Sequence, residues 1–231
     1  MAIQTKTAWT IDPRIPIGPQ LYRILRERII RADITPGTLI SEAEIARTYA
    51  LSRQPVREAF IKLTEQGLVE VRPQRGTLVR KISTAAVMDA RFVREAIEAD
   101  IVKMVATKAD PAVIADLKKQ ILLQQNTAEN DGSGFMELDE RFHRTLAEAA
   151  GKTYAWDVIE DIKAQMDRVR YLAFIRFPMP KLIAQHETVV NAIAAGKPEM
   201  ADRAMRDHLR EILSALPDIA AAQPEFFDVP D

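Results

Sequence analysis

A chain of 231 residues, 47% hydrophobic and 28% charged, is long for one small domain and comfortable for two, and its formal net charge is −1. It contains no cysteine, which excludes a disulfide framework and thiol chemistry. No apolar run approaches the roughly 20 residues that span a bilayer, and residues 1–18 lack the apolar core of a secretory signal, so a cytoplasmic protein without membrane association is expected. The charge is unevenly spread: residues 1–81 hold 14 Lys and Arg against 8 Asp and Glu, and residues 82–231 hold 18 against 25. A basic first part and an acidic second part fit a nucleic-acid reader joined to a part that does not touch nucleic acid.

Residues 1–16 read as a flexible arm. Leu21, Ile24, Leu25 and Ile29 mark a helix over about Gly18 to Ala32, with arginines 23, 26, 28 and 31 on its other faces, expected to be solvated. Pro36-Gly37 is a turn. Ser41, with Glu44 three residues on, is a capping box that opens a short helix carrying Ile45 and Tyr49 on one face. Ala50-Leu51 breaks that pattern. Ser52 is a second N-cap, Pro55 falls in the first turn where its missing N–H costs little, and Val56, Phe60 and Leu63 form an apolar stripe that stops at Gly67. The first turns of this second helix present Arg53, Gln54 and Arg57 away from the stripe. A helix entering the major groove offers such N-terminal residues to base edges, where arginine pairs bidentately with guanine and glutamine with adenine; the plainer reading is an ordinary solvated face. Leu68–Val71 and Thr77–Arg80 are strand candidates around the turn 72–76, which places Arg75 and Gly76 at a small basic hairpin tip. Two helices followed by a hairpin make a winged helix, here bounded at 17–81.

The stretch PGTLISEAEIARTYALSRQPVREAFIKLTEQGLVEVRPQRGTLV resembles the DNA-binding domain of the GntR family of bacterial transcription regulators. Gln54 stands where threonine is usual in that pattern, and Ala43 where some members carry a base-contacting arginine. The resemblance implies that Ser52, Arg53, Gln54, Arg57, Arg75 and Gly76 face double-stranded DNA, and that the operator sequence is this chain's own.

Residues 82–84 are a linker. From Ala85 on there is no strand pattern, and helices are expected at about 85–108, 111–130, 134–150, 153–175, 179–195 and 198–216, punctuated by residues 132–134, Gly151, residues 178–180 and residues 196–198. The fold class is therefore mainly α: an N-terminal winged helix-turn-helix with a small β-hairpin wing, and a C-terminal all-α antiparallel helical bundle over 85–216. The segment 217–231, with Pro217, Pro224 and Pro230, is expected to be a poorly ordered tail.

The chain has three histidines, all in the bundle. Asp139 and His143 are i and i+4 on a seam with Leu138, Phe142 and Leu146, so they point the same way. His186 shares a stripe with Ile183, Val190 and Ile193, and His208 one with Ala201, Ala204 and Met205. One inward histidine is most simply a core side chain hydrogen-bonded to backbone. Three, with an aspartate one turn from the first, suit a divalent metal such as zinc, nickel or manganese. Residues 84–216 resemble the FCD ligand-binding domain of the FadR subfamily through VREAIE (93–98), DERFHRTLAEAAG (139–151), QHETVVNAIAAG (185–196) and AMRDHL (204–209). By position, the resemblance implies Asp139, His143, His186 and His208 as metal ligands. It also implies that Arg94 holds the carboxylate of a small organic-acid effector, with Arg168 and Arg170 as further arginines for that pocket. The plain alternative for Arg94 is an ion pair with Glu98 one turn on.

These readings converge on a homodimeric repressor that binds a palindromic operator and releases it when a small carboxylic acid enters the helical domain. Two alternatives stay open: a regulator with a purely structural metal and no effector, and a metal-dependent hydrolase, which would leave the winged helix unexplained.

Overall fold

A computed structural model describes residues 9–130, 134–174 and 179–228. Residues 1–8 of the expected arm, Gly132 and Ser133, Pro178 and Pro230 lie outside the described residues. The chain forms two compact units, one comprising the residues up to Thr84 together with those from Ala220 onward, the other running from Ala85 to Ile219.

In the first unit, α1 (Ile17–Ile30) buries Leu21, Leu25 and Ile29. Strand β1 (Leu39–Ile40) precedes α2 (Glu42–Thr48), where Ser41 Oγ accepts from the Glu44 amide at 3.1 Å, the capping bond expected from the sequence. Helix α3 (Arg53–Glu65) packs on α1 and α2 through Val56, Ala59, Phe60 and Leu63. Between α2 and α3 the chain turns through Ala50 at φ 53, with the Leu51 amide bonded to the Ala46 carbonyl at 2.8 Å. A glycine commonly takes such a left-handed closing position, and its absence here explains why only the broken apolar pattern marked the boundary. Strands β2 (Val69–Arg72) and β3 (Gly76–Val79) form the wing, and β1 adds to β3 to give the order β1-β3-β2. A two-residue strand carries no alternation, so β1 left no signal in the sequence. Arg28 corrects an expectation: it is buried with the α1 core rather than solvated, and its guanidinium donates to the Tyr49 hydroxyl at 3.1 Å.

The tail and linker differ from expectation. Strand β4 (Ile82–Ser83) occupies most of the linker, and α4 (Thr84–Lys108) starts immediately after it. The bundle continues through α5 (Pro111–Asn130), α6 (Phe135–Ala149), α7 (Thr153–Ile162), α8 (Ala164–Phe174), α9 (Met179–Ala194) and α10 (Pro198–Ala222). Helix α10 does not end before Pro217 but passes through it. An interior proline costs about 3 kcal/mol or more, which burial of Leu216 and Ile219 on either side offsets. A short 3-10 turn (Pro224–Phe226) then leads into β5 (Phe227–Asp228), which pairs in parallel with β4. Residues 217–228 are ordered structure, not a loose tail.

Helix α5 packs against α6 and α9 over a core that includes Val102, Leu117, Phe142, Leu146, Val189, Ile193 and Met205. The single helix expected over 153–175 is two, α7 and α8, divided at Lys163. That lysine is buried, with Nζ 2.7 Å from Asp167 and 3.1 Å from Glu140. Glu95 joins α4 to α10: its carboxylate meets Arg91 on its own helix, Arg206 at 3.3 Å and Arg210 at 3.1 Å. The Arg210 hydrogen bond, opposed by burial and helped by Arg91 and Arg206, draws its pKa down to about 2. A depressed carboxylate stabilises the fold above its unfolded pKa, and the contribution fades as pH falls from about 4.5 towards 2. Because Arg210 and Arg206 are largely solvated and screened, Glu95→Gln should cost only about 1 kcal/mol at pH 7, measured by urea unfolding, and the gap to the native chain should narrow at pH 3. A gap independent of pH would remove the charge from the explanation.

Candidate metal centre and nucleic-acid interface

Helix α3 opens at Ser52, an extended N-cap whose hydroxyl makes no capping bond. Arg53, Gln54 and Arg57 are exposed on the face opposite Val56 and Phe60. Gln54 Nε2 donates to Glu58 Oε1 at 3.0 Å, which orients its amide along the helix. Arg75 is exposed at the wing tip, next to Gln74 at φ 62. Gly76 sits at φ 96, where a Cβ would lie 3.3 Å from the Ile40 carbonyl oxygen. Its contribution is thus to the backbone path that lets β3 meet β1.

The four bundle residues singled out in the sequence come together. Asp139 and His143 from α6, His186 from α9 and His208 from α10 are all buried, with one donor atom from each within 4.8 Å of the others. His208 Nε2 lies 3.2 Å from both His186 Nε2 and His143 Nε2. Asp139 Oδ1 is 3.5 Å from His186 Nε2 and has no hydrogen-bond partner.

The outer nitrogens decide what those inner atoms are. His143 Nδ1 faces Glu98 Oε2 at 2.5 Å, His186 Nδ1 faces Gln124 Oε1 at 2.8 Å, and His208 Nδ1 faces Gln185 Oε1 at 3.1 Å. Each facing atom is an acceptor. Gln124 is held that way round because its Nε2 donates to the Leu138 carbonyl at 3.3 Å, and Gln185 because its Nε2 donates to Glu211 at 3.1 Å. So each imidazole carries its proton on Nδ1 and turns a bare Nε2 lone pair inward. Burial pushes all three histidine pKa values down, those of His186 and His208 well down, so the rings are neutral at pH 7. Phe142 stacks on the His186 ring with centroids 4.2 Å apart and fixes its plane.

Three lone pairs and a carboxylate oxygen that face one another in an apolar interior repel unless a cation lies among them. Two nitrogens each about 2.1 Å from one ion, at tetrahedral to octahedral angles, stand about 3.0–3.4 Å apart, and the 3.2 Å spacings lie in that interval. The residues present fit a divalent metal.

Around this cluster, Arg94 Nε donates to Glu98 Oε1 at 2.6 Å, the ion pair that was the plain alternative. Burial raises the Glu98 pKa, but Arg94 and His143 outweigh it and hold the carboxyl below its usual range. Arg170 contacts Asp139 Oδ2 and lies 3.6 Å from Asp167. Arg168 is buried but hydrogen-bonds Gln165 at 3.2 Å and leaves its Nη2 without a partner. Of the two α8 arginines it is therefore Arg170, not Arg168, that touches the cluster. Gln124, Gln185 and the second role of Glu98 went unread in the sequence. A glutamine in the apolar stripe of α5 with Leu117 and Ile121 was the one available signal.

Residues 18–79 match the bacterial regulatory proteins of the gntR family, and residues 89–211 match the FCD domain. The chain is similar to the HTH-type transcriptional repressor RspR of Escherichia coli (strain K12), with 38% identity over 229 residues, or 98% of this chain and 99% of that one. It is also similar to a probable D-xylose utilization operon transcriptional repressor of Paenarthrobacter nicotinovorans, at 27% identity over 87% of this chain and 89% of the relative. Among solved structures, E. coli McbR/YncC shares the fold, with a TM-score of 0.76 at 16% identity over 88% of this chain and 98% of that chain. A winged helix with an exposed arginine-bearing N-terminal face, followed by a helical unit with these relatives, is not the plan of an enzyme: the chain belongs to the GntR family of bacterial regulators, carries an FCD domain, and is a DNA-binding transcription regulator.

Proposed function

We propose that this protein is a cytoplasmic repressor that binds a palindromic operator as a homodimer, and that a small carboxylic acid bound beside a divalent metal in the helical unit lowers its operator affinity. The observation that carries the reading is the inward convergence of three bare Nε2 atoms and the unpartnered Asp139 Oδ1. Asp139, His143, His186 and His208 would hold the ion, with zinc, nickel and manganese the candidates. A bound ion there supplies positive charge for an effector carboxylate. Arg94 and Arg170 line the same cluster, and a guanidinium can bind a carboxylate in a bidentate fork. Arg53, Gln54 and Arg57 would read bases, and Ser52, Arg75 and the backbone at Gly76 would meet phosphates or the minor groove. Repression is supported by the names of both relatives above.

The test is selection of random duplex DNA by the purified protein at physiological salt, with and without each metal, because nonspecific phosphate binding falls steeply with salt. A short palindrome, released by one member of a panel of dicarboxylates and sugar acids, is expected. In the same assay His186→Ala should lower metal affinity by about a hundredfold or more and abolish acid-induced release, with the metal-free protein still able to bind operator. Unchanged metal stoichiometry would remove His186 from the site.

One observation favours a second reading. Arg94 is engaged by Glu98 and Arg170 by Asp139, an arrangement also suited to a structural metal with no effector. Thermal stabilisation by metal, with none from any acid in the panel, would select that reading.

A further inference from the structure

Helix α4 turns Val87, Arg94 and Ile101 into the second unit, where they are buried. Its opposite side carries apolar side chains that stay in water. Met88 is 40% exposed, Phe92 68% and Met104 37%, and Ala96 between them is exposed as well. Single apolar side chains on a surface are ordinary. These four follow the outer side of one helix from residue 88 to residue 104, a distance of about 24 Å at 1.5 Å per residue. Methionine and aromatic side chains are enriched where protein surfaces meet.

The stripe is nearly symmetric about Ala96. A methionine stands eight residues before it and another eight residues after it, and charges of opposite sign, Asp89 and Lys103, stand seven before and seven after. Two copies of one helix that pair about a two-fold axis run either parallel or antiparallel. In the parallel arrangement each residue meets itself, so Asp89, Asp100 and Lys103 would each face their own charge, which is costly. In the antiparallel arrangement a residue before the axis meets the one equally far after it. Met88 then meets Met104, and Asp89 meets Lys103, each contact made twice. Phe92 comes across from Asp100, whose carboxylate can turn to the positive edge of the ring. At the axis Ala96 meets Ala96, and two such small side chains let helix axes approach to about 8 Å.

We infer that this face of α4 is the surface through which two copies of the chain associate, antiparallel, with the two-fold axis at Ala96. The inference rests on the homodimer reading given above and adds to it the face and the register. Lys103 Nζ lies 3.3 Å from Glu199, but that pair is exposed and worth little, so the lysine can turn to Asp89 of the second copy.

The native chain has no cysteine. Ala96→Cys therefore places one thiol in each chain, and in the full-length protein two copies should join by a disulfide on mild oxidation, because residues at the axis stand within the Cα separation that a disulfide bridges. Leu122→Cys, at a side chain 59% exposed on α5, is the control and should stay unlinked at the same concentration. Sedimentation then measures dissociation of the dimer. Asp89→Lys and Lys103→Asp should each weaken it by about tenfold or more, since each sets like charges against one another twice. Combined in one chain they should return the affinity to within about threefold of the native value.

A native dimer in which Ala96→Cys links no faster than Leu122→Cys overturns the α4 face and leaves the homodimer standing. Single charge variants that leave the dimer unchanged, or a double variant that does not recover, overturn the antiparallel register. A native chain that sediments as a monomer overturns the homodimer reading itself, and the face with it.

Discussion

Replacing Asp139 with alanine is expected to abolish stoichiometric metal binding and to destabilise the metal-free protein by about 3 kcal/mol. Two effects add in this variant. The cluster loses its one anionic donor, the Oδ1 that faces the histidine nitrogens without a hydrogen-bond partner. Arg170, meanwhile, loses the carboxylate it contacts inside the bundle, where its pKa is already drawn down to about 9, chiefly by burial. Removing one member of a buried ion pair is costlier than the pair is worth, because the remaining charge is left in a poor solvent. The native chain should gain thermal stability on addition of zinc, nickel or manganese, since an ion bound only by the folded state shifts unfolding by mass action. The alanine variant should gain none. Asp139→Asn separates the two effects: it keeps the side-chain volume and one oxygen but loses the charge. Metal analysis of the purified proteins and urea unfolding with and without chelator report both quantities. An alanine variant that retains one ion per chain would exclude Asp139 as a ligand.

Arg57→Ala should weaken operator binding by about 30-fold or more. A bidentate arginine–guanine contact is worth about 1–3 kcal/mol, and the two-fold dimer proposed above would make it twice. Arg57 is exposed one turn into α3, on the face opposite the buried Val56 and Phe60, so its removal should leave the fold unchanged. The pattern of the loss identifies the contact. A base contact relaxes selectivity at one position in each half-site and leaves nonspecific DNA binding nearly intact. A phosphate contact weakens binding to all sequences alike and lowers the salt dependence. Repeating the duplex selection with the variant distinguishes them, and an unchanged enriched palindrome would deny Arg57 a role in base reading. Arg53→Ala and Gln54→Ala make informative companions, because the Gln54 amide is already turned towards Glu58 and must leave it to reach a base.

The DNA-binding unit was legible because its signals are local. A capping box at Ser41 and Glu44, a proline in the first turn of α3 and an apolar stripe ending at Gly67 each act within a few residues. The four metal-ligand candidates were legible for a similar reason: side-chain direction on a helix follows from its 3.6-residue period, so inward histidines declare themselves one helix at a time. Arg28 misled because its position on α1 suited either a solvated face or the buried one, and its partner, the Tyr49 hydroxyl, lies 21 residues away.

The sequence by itself determined the winged helix, the helical second unit and the identity of the residues that gather at its centre, because periodicity and capping depend on neighbours along the chain. Only the tertiary structure decided which nitrogen of each histidine faces inward. That choice belongs to Glu98, Gln124 and Gln185, which stand 45, 62 and 23 residues from the rings they orient. It also decided that Arg170 rather than Arg168 meets Asp139, and that the last residues pair with the linker. These are long-range contacts between side chains or two-residue strands, and neither leaves a period in the sequence for a local rule to detect.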